Sequence, residues 1–230
     1  MHKGVIMELA LLKKLSEIDG VSGREREVRE LMEQELLKSV KKADISYYNI
    51  GSIIAKHGNS GPRIMIAGHM DEIGMIVTKI TDEGFLKFQT IGGWWEQVML
   101  AQQMTVTTTD GKKYHGVIGS KPPHILSDEE RKSVYKIDDM FIDIGVKSKD
   151  EAVKLGIRPG DMITPAIEFK VMANEDILLG KAWDNRIGCA VVLEVMKAFK
   201  DMDHPNTIFG VGTVQEEVGC RGAKTTSNII

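Results

Sequence analysis

The apolar positions change period along the chain, and each change marks an element. Residues 8–18 carry apolar side chains at helical spacing. The run Ser22-Gly23-Arg24-Glu25 reads as a capping box, with Ser22 as N-cap and Glu25 at N3. The helix behind it places Val28, Leu31, Met32, Leu36 and Val40 on one stripe and charges opposite, as a surface helix packed on a sheet does. Apolar runs then predict strands at residues 45–48, 52–56 and 63–67. From residue 73 to 164 the pattern becomes short and alternating, with strands expected at 74–80, 85–89, 104–109, 114–118 and 140–144. Turn signals such as Asp82-Glu83-Gly84 and Asp110-Gly111-Lys112 separate them, which predicts a small antiparallel β-barrel. Ser148 and Glu151 cap a short helix in this stretch, and Arg158-Pro159-Gly160-Asp161 leads out of it. A helix over 186–199 and a glycine-spaced strand over 207–214 then resume the earlier pattern. The expected fold is α/β: a mixed, mainly parallel sheet flanked by helices, with an inserted β-barrel. Residues 1–72 and 165–230 would form the main domain and 73–164 the insert.

Composition narrows the function classes. Among 230 residues, 42% are hydrophobic and 27% charged, which is ordinary for a soluble globular protein. A net charge of -3, with no basic patch interleaved with aromatics, speaks against a nucleic-acid partner. No apolar run approaches the length of a membrane span. The opening Met1-His2-Lys3-Gly4-Val5-Ile6-Met7 is too short and polar for a secretory signal. Cys189 and Cys220 are therefore expected as reduced thiols in a cytoplasmic protein.

The candidate chemistry lies at three breaks in the pattern. The strand over 207–214 runs into Gln215-Glu216-Glu217-Val218-Gly219. Two adjacent carboxylates at a strand end call for a partner, and a divalent cation fits best: one acid can bind it while the other handles a water proton. A second apolar strand ends in Gly68-His69-Met70-Asp71-Glu72, where His69 and Asp71 share a face at i, i+2. Asp184 lies in the turn before the helix at 186–199. Each cluster also has a plain reading: solvated acids, a surface His and Asp, an ordinary N-cap. His57, His115, His204 and the loop residue His124 read as surface or loop positions, and nothing marks Cys220 as a nucleophile.

Taken together, Gly68-His69-Met70-Asp71-Glu72-Ile73-Gly74, Lys181-Ala182-Trp183-Asp184-Asn185-Arg186-Ile187-Gly188-Cys189 and Thr213-Val214-Gln215-Glu216-Glu217-Val218-Gly219-Cys220-Arg221-Gly222-Ala223-Lys224 resemble a known set. They are similar to the three signature blocks of the dinuclear metal aminopeptidases of the tetrahedral (TET) type, which include glutamyl aminopeptidase. The resemblance implies two divalent ions, zinc, cobalt or manganese. It implies His69, Asp184 and Glu217 as metal ligands, with Asp184 bridging and in a cis peptide to Asn185. Glu216 and Asp71 would be the catalytic pair, Glu216 as general base on a metal-activated water and Asp71 as the group that orients His69. Substrates would be short peptides cut at the N-terminal residue, and the insert would make dimer contacts that build toward a dodecamer. The Gly92-Gly93-Trp94-Trp95 stretch suits such a contact or a barrel core. The family pattern adds an Asp shortly after Glu217 and a His near its C-terminus. Neither occurs before Ile230, so the sequence is expected to be an incomplete family chain. The alternatives are a non-catalytic remnant or a different metallohydrolase, such as a deacylase or an enzyme with a glucanase label.

Overall fold

A computed structural model describes residues 7–230. His2 and most of the leading segment lie outside those residues. In chain order the elements are α1 (Leu9–Glu17), α2 (Arg26–Leu36), β1 (Ile45–Tyr47), β2 (Ile53–His57), β3 (Arg63–His69), β4 (Gly74–Ile80), β5 (Leu86–Ile91), β6 (Gln103–Thr107), β7 (Lys113–Gly119), β8 (Phe141–Asp143), α3 (Lys149–Lys154), β9 (Met162–Pro165), β10 (Lys170–Val171), β11 (Leu178–Leu179), α4 (Trp183–Phe199), β12 (Thr207–Thr213) and α5 (Arg221–Ser227). They divide into two compact units, Met1–Glu72 with Glu168–Ile230, and Ile73–Ile167.

The first unit holds a four-stranded sheet in the order β1-β2-β12-β3. It is mixed, as the pattern predicts, but not mainly parallel. Only β12 with β3 pairs in parallel, while β1 with β2 and β2 with β12 are antiparallel. The apolar run of β12 suggested parallel neighbours because it is buried at every position. It is instead a central strand, covered on both faces. Gly210 and Gly212 let Met196, Met32 and Met70 pack directly on its backbone, where a Cβ would lie under 3 Å from their side chains. Leu15, Val28, Met32, Leu36, Val192 and Met196 form the core on that face, from α1, α2 and α4. The stripe predicted for α2 is the buried one, Val28, Met32 and Leu36.

The second unit is a closed barrel in the order β4-β5-β8-β7-β6-β9. The sequence pattern missed β9. The Arg158-Pro159-Gly160-Asp161 turn leads not out of the barrel but into this four-residue strand, which pairs with β4 and β6. Met75, Val77, Leu86, Met104, Val106 and Ile163 fill the interior. Ser148 caps α3 as expected, accepting the Glu151 N–H, while Glu151 accepts the Lys147 N–H. Of the tryptophan pair, Trp94 packs against the barrel core and donates to the Gly74 carbonyl, whereas Trp95 is 64% exposed. Among the described residues no helix is long and apolar enough to cross a membrane.

Candidate metal centre

The parallel pairing of β12 with β3 sets Thr213 opposite His69. It therefore brings the His69 segment and the acidic turn after β12 to one end of two neighbouring strands. Gly68 permits a close crossing: a Cβ there would meet the backbone of Gly188 and Cys189 in α4 at 2.4 Å. That approach delivers the start of α4, and with it Asp184, to the same place.

His69 is buried, and both ring nitrogens are engaged. Nδ1 donates to the Asp71 carbonyl oxygen at 3.0 Å. The Asp71 carboxylate is 3.6 Å from Nδ1, an ion-pair distance rather than a hydrogen bond. Nε2 lies 3.0 Å from Asp184 Oδ1 and 3.7 Å from Glu216 Oε2. Burial pulls the imidazole toward its neutral form, but Asp71 and Asp184 outweigh burial and push its pKa up to about 9.

The peptide between Asp184 and Asn185 is cis. Asp184 does not cap the helix that follows. Asn185 does so, its Oδ1 accepting the Gly188 N–H at 2.9 Å. The Asp184 side chain is left 87% exposed and directed at His69. Sequence alone gave no means of choosing between two adjacent capping side chains.

Asp71 is fully buried and accepts three hydrogen bonds: from Ser22 Oγ at 2.6 Å, the Glu216 N–H at 3.0 Å and the Glu217 N–H at 3.1 Å. Burial raises its carboxyl, yet His69 and these donors prevail and hold it below the usual range. Ser22 is thus not an N-cap. Glu25 occupies the N-cap position of α2 and makes no side-chain cap, because its Oε1 accepts the Gln215 N–H instead. The capping-box reading fails here because Ser22 Oγ donates to Asp71 and Glu25 Oε1 accepts the Gln215 and Gly23 N–H groups.

Glu217 is half-buried. Burial raises its carboxyl, His69 lowers it, and Asp71, Asp184 and Glu216 raise it again, for an upward net shift. Cys220 Sγ donates to Glu216 Oε1 at 3.1 Å. Its thiol is raised by Glu216, which makes it a poor nucleophile. His115 and His124 are exposed and lie in the other unit, and His57 pairs with His204 at 2.7 Å on a different part of the first.

The donor chemistry fits a divalent cation. With the Nδ1 proton held by a carbonyl, Nε2 is the nitrogen presented to a metal. It faces carboxylates whose mutual repulsion a cation would relieve. As the side chains stand, His69 pairs with Asp184, and no group of three or more His, Cys, Asp or Glu among the described residues is gathered tightly enough to hold an ion.

The family described as M42 glutamyl aminopeptidase matches residues 51–230, which include His69, Asp184, Glu216 and Glu217. The chain belongs to that family. A second family description, AMPT, matches residues 7–32 of this M42 protein. The provisionally named aminopeptidase FrvX of Escherichia coli (strain K12) is 44% identical over 97% of the chain, which spans 62% of FrvX. A TET aminopeptidase structure from the marine sediment archaeon Thaumarchaeota archaeon SCGC AB-539-E09 superimposes with a TM-score of 0.92 at 45% identity. That match covers 96% of this chain and 63% of the other. The TET1 peptidase of Pyrococcus horikoshii, whose structure describes assembly into a tetrahedron or a large octahedral shell, gives 0.86 at 38% identity over 96% of this chain and 64% of the other. The M42 chain thus spans about three-fifths of the length of these relatives.

Proposed function

We propose that this chain supplies the metal-binding and proton-transfer groups of an aminopeptidase that removes the N-terminal residue of short peptides. One observation carries the reading: His69 Nε2 faces Asp184 and Glu216, three positions drawn from β3, the start of α4 and the turn after β12. His69, Asp184 and Glu217 would hold divalent cations, zinc, cobalt or manganese. Bound there, such ions acidify water and polarise a carbonyl. Glu216 accepts the water proton and returns it to the leaving amine. The Cys220 thiol engages its Oε1, which leaves Oε2 on the His69 side. Asp71 holds the backbone of both glutamates and fixes the Nδ1 face of His69. Self-association belongs to the same proposal, on the precedent of the Pyrococcus horikoshii shells, with the exposed Trp95 as a candidate contact.

The test is hydrolysis of aminoacyl-p-nitroanilides with added zinc, cobalt or manganese, alongside metal analysis. Glu216→Gln is expected to keep its metal and lose about 10²–10⁴-fold in turnover, the typical contribution of a general base. A chelator should abolish the wild-type rate. Full turnover by the Gln variant, or hydrolysis indifferent to chelator, overturns the reading.

A further inference from the structure

The turn that presents the two glutamates is held by acceptors lying far away in sequence. Gln215, Glu216 and Glu217 offer three consecutive backbone N–H groups. Gln215 has φ +56°, the left-handed region that non-glycine residues avoid unless their surroundings fix them. Asp71 takes the Glu216 and Glu217 N–H groups, one on each carboxylate oxygen. The Gln215 N–H goes to Glu25 Oε1 at 3.0 Å, across 190 positions of chain, and the same oxygen accepts the Gly23 N–H at 2.9 Å.

Glu25 is 4% exposed, a burial that a carboxylate tolerates only with strong partners. Among the described residues no cation is paired with it. Its partners are amides, and its local use as a cap for α2 is forgone. Ser22, three residues earlier, likewise turns its hydroxyl to Asp71. Successive N–H groups converging on carboxylates form a nest, and charge-assisted bonds of this kind are about twice as strong as neutral ones.

We infer that Glu25 is a positioning residue, whose buried carboxylate fixes the Gln215 amide and so sets the direction in which Glu216 and Glu217 leave β12. This rests on the reading that those two acids are the working ones. It assigns the segment before α2 a task in the site that its capping-box pattern conceals.

The experiment is hydrogen exchange on the whole 230-residue chain as wild type, Glu25→Ala, Glu25→Asp and Glu25→Gln. Gln keeps an acceptor at the same reach, Asp withdraws it by one methylene, and Ala removes it. Exchange of the amides at 215–217 should accelerate on the order of tenfold or more in Ala and Asp, clearly less in Gln, which keeps a neutral acceptor, and remain unchanged in β12. If Glu25→Ala fails to fold, Asp against Gln makes the same comparison. In the hydrolysis assay, Asp should lower kcat with KM little changed, and Gln should restore it. Unaltered exchange at 215–217 in Ala and Asp overturns the assignment, as does equal acceleration in β12, which would show a general loss of stability. The exchange readout is independent of turnover: a clamp that responds as described in a chain that never hydrolyses peptides counts against the proposed function alone.

Discussion

Glu216 has a reporter within reach, because the Cys220 thiol donates to its Oε1 at 3.1 Å. The carboxylate raises the thiol pKa by accepting that proton and by its charge. Glu216→Gln removes the charge, so the thiol pKa falls and more thiolate is present at any pH below it. Alkylation of Cys220 by iodoacetamide is therefore expected to run faster in Glu216→Gln than in wild type at pH 8, because the thiolate is the reacting form. Cys189 does not obscure the readout, since its thiol is fully buried and pushed up to about 12. An unchanged rate would show that the Cys220–Glu216 contact is not made in solution. At this scale the sequence was informative about which residues the fold gathers and poor about whom they touch. His69, Asp71, Asp184, Glu216 and Glu217 stand out because their types and breaks suit metal chemistry. Ser22, Glu25 and Asn185 hide behind local patterns that are common in any helix start.

Elements come together through small residues. Gly68 immediately precedes His69, and its missing side chain lets α4 cross β3 at backbone contact. Gly68→Ala would place a methyl 2.4 Å from backbone atoms of Gly188 and Cys189, which cannot rotate aside. The expected cost is about 1–3 kcal/mol, as for other overpacked sites, read as a lower urea midpoint with an unchanged m-value. Wild-type stability in that variant would mean that α4 does not sit so close. The helices were legible from their stripes and the barrel from its alternation. Strand neighbours were less so. The run of β12 is buried at every position, with parallel β3 on one side and antiparallel β2 on the other, so pattern alone could not set the direction of β2. The strand β9 was missed because four residues give too short an alternation beside a Pro-Gly turn.

Across the first unit, a buried ionic cluster ties the N-terminal segment to the site. Lys181 Nζ meets Asp19 Oδ1 at 2.5 Å and Glu72 Oε1 at 2.8 Å, and Arg186 donates to the carbonyls of Leu15, Ile18 and Met70. Lys181 and Arg186 flank Asp184 in the chain, and Glu72 follows Asp71, so the cluster anchors both sides of the candidate centre. Burial pushes the Glu72 carboxyl up, with Lys181 and Arg186 drawing it back. Such a network is weak as a source of stability but strict about geometry, because removing one partner leaves a charge buried alone. The decisive measurement is a cobalt titration of the intact chain, followed by its visible absorption, for wild type, His69→Ala and Asp184→Asn. Wild type should develop cobalt bands that saturate, and each variant should need at least about tenfold more metal, consistent with a lost ligand. Identical titrations for all three proteins would contradict the account, since the converging imidazole and carboxylates would then not be what holds the ion.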